Sequence, residues 1–313
     1  MIWAYLIYLG SNMWFDWDNH IAMGYNEPKY HETMFTQKSA WRKIVKFAAQ
    51  NGVNTLLIDM GEGVQYESVP EISCKGAWTK QELKEELDFI RSLGITPIPK
   101  FNFSAAHDAW FREYGRMLST PQYYRAAENL ICETVELFEN PKLFHIGLEE
   151  EAFQHQAHMG ICVCRNRRVF WNDVNFLFKI LDKNKARPWI WGDGFWESPE
   201  EYIQNTPKEA LVSPAIYVRL HTLTPEQFET GPMAAFRNLG NNGFDYVPIV
   251  STCYTELSAN DVMRYVRDVC DTATLKGYMS SPWCRTSEQD IYCHYNDITR
   301  FASARKKFFG GKQ

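Results

Sequence analysis

Three consecutive carboxylates, Glu149, Glu150 and Glu151, directly follow an apolar segment that starts at Phe144. Like charges this close repel one another, so crowding raises the pKa of at least one of the carboxyl groups. A carboxyl group with a raised pKa is suited to act as a general acid near neutral pH. The alternative is that the glutamates only begin a helix, whose N-terminal dipole favours negative charge. The triplet alone leaves both interpretations open.

Further acidic residues, a histidine, tyrosines and tryptophans also follow apolar segments. They are Asp59, Glu62, His107, Trp191, Asp193, Trp196, Tyr217, Tyr254, Glu256 and Trp283. Flat aromatic faces stack on the apolar faces of sugar rings, and carboxylates bind sugar hydroxyls and catalyse glycosidic cleavage. If one edge of a sheet brings these residues together, the combination indicates a carbohydrate site.

A possible metal site lies just beyond the triplet, formed by His155, His158, Cys162 and Cys164. Two histidines three residues apart share one helix face, and two histidines with two cysteines are a suitable ligand set for structural Zn²⁺. The Cys-x-Cys spacing is tighter than usual, and the alternative is an active-site loop with incidental thiols. Four protein ligands would close the site, so a zinc ion here would brace the loop rather than catalyse.

The elements that must position these residues alternate along the chain. Apolar runs predict strands at 4–9, 55–60, 95–101, 144–147, 187–192, 210–217, 247–253 and 277–281. Helical spacing predicts helices at 37–51, 79–93, 121–139, 168–184, near 198, and at 225–239, 260–275 and 288–309. Eight such units predict an α/β fold, a (β/α)8 barrel whose strand C-termini carry the chemistry. The alternative is an open doubly wound sheet, but no Gly-rich phosphate loop follows an early strand.

Length and charge narrow the function classes. A chain of 313 residues fits a single barrel over 1–313, with a loop insertion after strand four at about 151–167. The net charge is −5 without a basic stripe, which argues against a nucleic-acid partner. No apolar run reaches the roughly 18 residues of a membrane span. Scattered cysteines and an apolar start without signal-peptide features favour a reducing, cytoplasmic location. The oligomeric state is left open.

The segment His-Ile-Gly-Leu-Glu-Glu at 145–150 resembles the His-Ile-Gly-Gly-Asp-Glu motif of glycoside hydrolase family 20, the β-N-acetylhexosaminidases. Other segments resemble the family in the same order. They are the second strand at 52–59, the helix start at 78–83, the third strand with its turn at 95–107, and Trp-Gly-Asp at 191–193. The resemblance implies a barrel that removes terminal β-linked N-acetylhexosamine.

The chain departs from the family pattern in several places. Glu149 stands in place of the family's Asp, Lys100 in place of its Glu after proline, and two alanines in place of Pro-Gly before His107. The first-strand arginine that holds the outer hydroxyls of the sugar has no counterpart at 4–9. Its loss weakens the case for gluco specificity, so GalNAc and GlcNAc both stay open as the terminal sugar.

The resemblance also implies a mechanism, substrate-assisted hydrolysis with retention through an oxazolinium intermediate. Glu149 would orient the acetamido N–H and stabilise the positive charge, and Glu150 would act as general acid and then as base. The substrate would be a 2-acetamido sugar or oligosaccharide, with no cofactor required. The implied binding residues are His107, Trp191, Asp193, Tyr217 and Trp283. Core packing for the aromatic residues and a helix cap for Asp193 are their structural alternatives.

Several alternatives remain at the sequence level. The catalytic pair could be shifted by one residue, to Glu150 and Glu151. The protein could be a barrel glycosidase with two separated carboxylates, for example Glu150 with Asp193 or Glu256. It could also be a sugar-binding barrel without catalysis, or a zinc hydrolase.

Overall fold

The computed structural model describes residues 1–11, 31–151, 153–156, 162–216, 220–251 and 258–310, without the side chains of Gln154, His221 and Ser258. Its strands, in chain order from β1 to β8, are Ile2–Tyr8, Thr55–Asp59, Thr96–Lys100, Leu143–His145, Arg187–Trp191, Leu211–Ser213, Asp245–Tyr246 and Gly277–Ser280. Its α-helices, α1 to α11, are Lys38–Gln50, Lys80–Ser92, Pro121–Leu137, Phe153–Gln156, Arg167–Lys183, Gly194–Glu197, Pro199–Asn205, Pro225–Glu229, Gly231–Asn241, Ser258–Val269 and Ile291–Phe309.

The strands form one parallel sheet in the order β7-β6-β5-β4-β3-β2-β1-β8. Bridges from Tyr246 to Leu275 and from Ile249 to Met279 join the two ends of this sheet. The predicted (β/α)8 barrel is therefore confirmed. Among the described residues, no helix is long and apolar enough to cross a membrane.

Alternation along the strands divides the apolar residues between two layers. Alternate residues of β1, Ala4, Leu6 and Tyr8, point into the barrel, where they pack with Trp189 and other interior side chains. The intervening residues of β1 pack outward against the helices. This alternation explains why the strands are buried on both faces and form continuous apolar runs in the sequence.

Local chemistry fixes the helix boundaries. Helix α2 begins with the predicted capping box, in which Thr79 accepts from the Glu82 N–H and the Glu82 carboxylate accepts from the Thr79 N–H. The helix predicted at 225–239 is instead two helices, α8 and α9. Gly231, with φ +55°, and the following Pro232 start a new helix there.

Two predicted strands have the wrong bounds. The prediction at 210–217 corresponds to β6, which ends at Ser213, whereas the prediction at 247–253 begins only after β7 has ended at Tyr246. Pro214 and Pro248 lie just beyond these ends, and proline has no N–H to donate to a sheet. The chain after β7 still follows the barrel wall, because Val247 donates to the Val212 carbonyl and Val250 to the Met279 carbonyl.

Candidate active site

The backbone just after β4 takes conformations that L-residues rarely adopt. Gly147, Leu148 and Glu150 have φ values of +78°, +71° and +51°. A non-glycine residue in the left-handed region costs roughly 1–2 kcal/mol, so Leu148 and Glu150 are held there by their surroundings. Such strain concentrates at functional sites. Its effect here is to present the side chains of Glu149 and Glu150 at the C-terminal end of the barrel.

Gly147 is required by space as well as by conformation. A Cβ atom at this position would lie 2.1 Å from Asn102 Oδ1. We expect Gly147→Ala to lower the free energy of unfolding by about 2 kcal/mol or more, from backbone strain and displacement of Asn102. Urea unfolding measures this loss. Gly94→Ala is the matched control, because Gly94 has φ +77° but no atom lies within 4 Å of the place that its Cβ would occupy. Equal losses in the two variants would contradict the predicted clash.

Glu149 is held by two groups from the segment after β3. The Asn102 amide donates to Glu149 Oε1, and the Glu149 N–H donates to Ser104 Oγ at 2.8 Å. Ser104 Oγ in turn donates to Asn102 Oδ1 at 2.6 Å. Burial raises the pKa of Glu149, and the charges of His107 and Lys100 partly offset this shift. The carboxylate is thus fixed in orientation and partly withdrawn from water.

His107 lies between the first two carboxylates of the triplet. Its Nε2 is 2.8 Å from Glu150 Oε2 and 3.5 Å from Glu149 Oε1. The imidazole is buried, whereas 42% of the Glu150 side chain is exposed. Burial lowers the pKa of His107, but the charge of Glu149 and the hydrogen bond to Glu150 outweigh it, so the net shift is upward. The arrangement leaves Glu150 accessible and able to exchange a proton with a bound molecule.

Glu151 has a different environment from its two neighbours. Its Oε2 is 2.7 Å from Arg165 Nη2, and Arg165 Nη1 is 2.7 Å from Asp173 Oδ2. All three side chains are at most 7% exposed. A carboxylate neutralised by a buried guanidinium has little freedom to meet a substrate, so the geometry favours Glu149 and Glu150 over the pair shifted by one residue.

The predicted aromatic residues lie on the same rim. Trp191 ends β5 and is 2% exposed, and its buried indole N–H has no hydrogen-bond partner among the residues that the structure describes. Its ring centroid lies 5.8 Å from that of Trp283, in an edge-on arrangement. The structure therefore brings Trp191 and Trp283 together as a corner. Tyr217 lies outside the described residues.

Asp193 follows Trp191 by two residues and precedes α6. It occupies the N-cap position of that helix, but among the described residues its side chain makes no capping hydrogen bond. Burial, followed by the charges of Glu149 and Glu150, raises the pKa of Asp193 well above its ordinary value. Asp193 is therefore a third acidic group in electrostatic contact with the pair after β4.

A buried ion pair lies beneath the rim, and the sequence analysis did not predict the pairing of its two residues. Asp59 and Lys100 are register partners on β2 and β3, and Lys100 and His145 are partners on β3 and β4. Lys100 Nζ lies 2.5 Å from Asp59 Oδ2, and the His145 ring lies 4.3 Å from that of Trp191. Burial, followed by the charge of Lys100, lowers the pKa of His145 well below its ordinary value. Every second residue of a strand points to the same face, and this alternation places Asp59, Lys100 and His145 inside the barrel.

Glu62, beyond β2, is a fully buried carboxyl group. Its Oε1 accepts from the Ser11 N–H at 2.9 Å, whereas Oε2 has no hydrogen-bond partner. Burial, followed by the nearby charge of Asp59, raises the pKa of Glu62 to about 7. An isolated buried charge is costly, so the folded chain favours the protonated form.

The raised pKa of Glu62 predicts a pH-dependent stability. The unfolded chain releases this proton near pH 4.3 and the folded chain near pH 7, so stability falls across that interval by up to about 3 kcal/mol. Glu62→Gln removes this loss, so its free energy of unfolding relative to the native chain should rise between pH 5 and pH 8. Urea unfolding at both values measures the change, with the exposed Glu136→Gln on α3 as the control. Parallel pH profiles for the native chain and Glu62→Gln would contradict it.

The predicted zinc ligands that lie among the described residues do not converge. Among the described residues, no group of three or more potential ligands could hold a metal ion, so His155, Cys162 and Cys164 do not share one point. Cys162 Sγ instead lies 3.0 Å from the Gln156 carbonyl oxygen, to which it donates. His158 lies outside the described residues. The structure thus gives the zinc interpretation no support.

The chain is similar to known proteins in structure but not detectably in sequence. No protein-family model matches the sequence, and no curated protein matches it. Solved structures do match. Dispersin B superposes with a TM-score of 0.60 at 13% identity, over 94% of this chain and 98% of that chain.

Two further neighbours are named as hydrolases of acetamido sugars. The glycoside hydrolase family 20 exo-β-N-acetylglucosaminidase from Vibrio harveyi, solved with N-acetylglucosamine, has a TM-score of 0.65 at 15% identity, over 97% of this chain and 54% of that chain. The β-N-acetylhexosaminidase from Bacteroides fragilis has a TM-score of 0.62 at 12% identity, over 95% of this chain and 65% of that chain. This chain thus spans about half of the Vibrio harveyi protein and two thirds of the Bacteroides fragilis protein. At these identities the comparison shows the fold alone: the barrel is the one that these proteins share.

Proposed function

We propose that the protein is a glycoside hydrolase that releases a terminal β-linked N-acetylhexosamine by substrate-assisted, retaining hydrolysis. The observation that carries the proposal is the pair of carboxylates after β4. Glu149 is fixed by Asn102, Glu150 is accessible, and His107 contacts both. The matched solved structures include an enzyme with bound N-acetylglucosamine, which supports an acetamido sugar as the substrate class.

In this proposal the two carboxylates have different tasks. Glu149 accepts a hydrogen bond from the acetamido N–H of the substrate. This contact turns the acetamido carbonyl oxygen toward the anomeric carbon. That oxygen attacks, the glycosidic bond breaks, and Glu150 gives its proton to the leaving oxygen. Glu150 then takes a proton from the water that opens the oxazolinium ring. His107 stabilises the carboxylate form of Glu150 between these steps, because a hydrogen bond from its Nε2 at 2.8 Å favours the anion.

The surroundings of the pair fit a small sugar. The corner of Trp191 and Trp283 offers an apolar wall against which an acetamido methyl or a ring face packs. The partnerless indole N–H of Trp191 is a buried donor that a hydroxyl or carbonyl of the ligand can satisfy. Asp193 is proposed to accept a hydrogen bond from a sugar hydroxyl, and Tyr217 is proposed to donate one to the acetamido carbonyl.

A panel of aryl glycosides tests the proposal. We expect turnover of the β-GlcNAc or β-GalNAc derivative, at least 100-fold above the β-glucoside and β-galactoside, because only the acetamido sugars carry the internal nucleophile. A stable thiazoline analogue of the oxazoline should inhibit competitively. Equal turnover of sugars with and without the acetamido group would contradict the mechanism, and no turnover of any derivative would contradict catalysis.

A second candidate, a glycosidase with two separated carboxylates, rests on Asp193. This carboxyl group makes no capping hydrogen bond to α6 among the described residues, and its pKa is raised. A raised pKa suits a general acid. In that case Asp193 would protonate the leaving oxygen and a glutamate after β4 would attack the sugar directly. Turnover of sugars without the acetamido group distinguishes the two candidates.

A further inference from the structure

Glu151, the third carboxylate of the triplet, has no part in the proposed reaction, although it is bonded to the same segment after β3 as Glu149 and Glu150. The Ala105 N–H donates to Glu151 Oε1 at 3.2 Å. The other oxygen, Oε2, accepts from Arg165 Nη2 at 2.7 Å. The Glu151 side chain is 5% exposed. Both of its oxygens are thus engaged by the protein, one on each side.

Ala105 is the second residue of a tight turn that ends at His107. The His107 N–H donates to the Ser104 carbonyl at 2.9 Å, and neither Ala105 nor Ala106 has a positive φ, an arrangement typical of a type I turn. Proline favours the second position of such a turn, and the family that the sequence resembles has proline there. Alanine keeps the backbone N–H that proline lacks, and this N–H is the donor to Glu151. The turn that carries His107 is therefore tied to Glu151.

This tie closes a ring of contacts around Glu150. Glu150 has φ +51°, a conformation that is costly for a residue with a Cβ atom, so the chain on both sides must hold it. On the N-terminal side the Glu149 N–H is bonded to the segment after β3, and on the C-terminal side Glu151 is bonded to Ala105. The Glu150 side chain contacts His107, from the same turn, at 2.8 Å. Glu151 thus secures both the strained backbone of Glu150 and the turn that carries its partner.

The contacts behind Glu151 reach two helices of the outer layer. Arg165 also donates to Asp173 of α5 at 2.7 Å, and Asp173 accepts from the Tyr124 hydroxyl of α3. Asp108 faces the same cluster: burial, followed by the charge of Glu151, raises its pKa well above the ordinary value, whereas the charge of Arg165 opposes this shift. Glu151 therefore connects the rim of the barrel to packed helices.

We propose that Glu151 is a positioning residue, which holds Glu150 in contact with His107 for proton transfer. The inference rests on the proposed function, in which Glu150 is the general acid and then the base. Because Glu151 acts through its neighbour and does not touch the substrate, its loss should lower kcat and leave KM nearly unchanged. A small displacement of a reacting group costs up to about 100-fold in rate, so we expect kcat to fall about 10- to 100-fold.

Two substitutions break the bond between Ala105 and Glu151 from its two ends. In Glu151→Gln one oxygen remains for two donors, and Arg165, whose charge-assisted bond is the stronger, keeps it. In Ala105→Pro the turn is retained but the N–H is lost. Each variant has a matched control. Asp173→Asn takes a buried charge from the same guanidinium but leaves the bond in place, and Ala105→Gly keeps the N–H.

The pKa of His107 measures the contact without any hydrolysis. Burial and the charge of Lys100 lower this pKa, whereas Glu149 and Glu150 raise it, with a net rise. When Glu150 moves away from the imidazole, the pKa should fall by about one unit in the two variants of the bond and in neither control. NMR titration of the histidine side chains measures the shift, with His107→Gln to assign the signal.

Steady-state kinetics on an aryl N-acetylhexosaminide then show whether the contact serves the reaction. The two variants of the bond should lose kcat at nearly unchanged KM, and Asp173→Asn should keep both. An unchanged His107 pKa in folded Glu151→Gln, or an equal fall in Asp173→Asn, would overturn the proposal. A lowered pKa with unchanged kcat would also overturn it, because the contact would not serve proton transfer. Absence of turnover in the native chain would contradict the proposed function itself, whereas the NMR shift would still decide whether Glu151 holds Glu150 against His107.

Discussion

Glu150→Gln is expected to lower kcat/KM for an aryl N-acetylhexosaminide by about 10²–10⁴-fold, the usual contribution of a general acid–base group. Glutamine keeps the shape of the side chain and its contact with His107, but its amide has no acidic proton to transfer to the leaving oxygen. The loss should be steepest for glycosides with poor leaving groups, because these depend most on protonation. A series of aryl glycosides of graded phenol pKa measures this dependence. The exposed Glu136→Gln on α3 is the control and should keep full activity.

A substitution of Glu149 distinguishes substrate-assisted hydrolysis from hydrolysis by two separated carboxylates. Glu149→Ala should slow the acetamido sugar severely, and azide should not restore the rate, because the substrate itself provides the nucleophile. In a glycosidase with two separated carboxylates, alanine at the nucleophile opens space for azide and a glycosyl azide forms. Rescue of Glu149→Ala by azide would therefore contradict substrate assistance while leaving a hydrolase in place.

Arg165→Met is expected to lower the free energy of unfolding by about 3–5 kcal/mol, the usual cost of removing one partner of a buried ion pair. Arg165 neutralises two carboxylates, Glu151 and Asp173, that are at most 5% exposed. Without the guanidinium both carboxylates must lose their charge or draw in water. Urea unfolding at pH 7 measures the loss.

Arg167→Met is the matched control for this substitution. Arg167 also pairs with a carboxylate, Glu201 at 2.7 Å, and also stacks on Phe170, but its side chain is 47% exposed. Exposed pairs contribute about 0–1 kcal/mol. Adding Glu151→Gln and Asp173→Asn to Arg165→Met should recover part of the loss, because the buried charges are then absent. Equal losses of unfolding free energy in Arg165→Met and Arg167→Met would show that the burial of the Arg165 ion pairs does not cause the destabilisation.

The sequence predicted well where the determining interaction is local. The capping box of Thr79 and Glu82 is formed by residues three positions apart, and α2 begins where this signal places it. Apolar runs likewise predicted seven of the eight strands. The strand predicted at 210–217 was extended past Pro214, and the strand predicted at 247–253 lies beyond β7 and contains Pro248, although proline could have signalled the ends of both strands.

The site was predicted less completely, because its contacts join residues far apart in the chain. The motif after β4 indicated Glu149 and Glu150, but Asn102, the partner of Glu149, lies in the segment after β3 and meets it only when the barrel closes. The contrast between Glu150 and Glu151 depends on Arg165, whose direction no local pattern reveals. The zinc interpretation relied on spacing alone, and spacing does not determine whether His155 and Cys162 point to one place.

The Arg165 contacts have a consequence for how this site could diversify. Glu151 and Arg165 are 14 positions apart in the chain and are bonded to each other, so this bond closes the stretch of chain between them at its two ends. Changes of length or composition between these two residues are thus expected to leave the backbone that carries Glu149 and Glu150 in place. A barrel built this way can change in sequence beside its rim while the candidate catalytic carboxylates keep their positions.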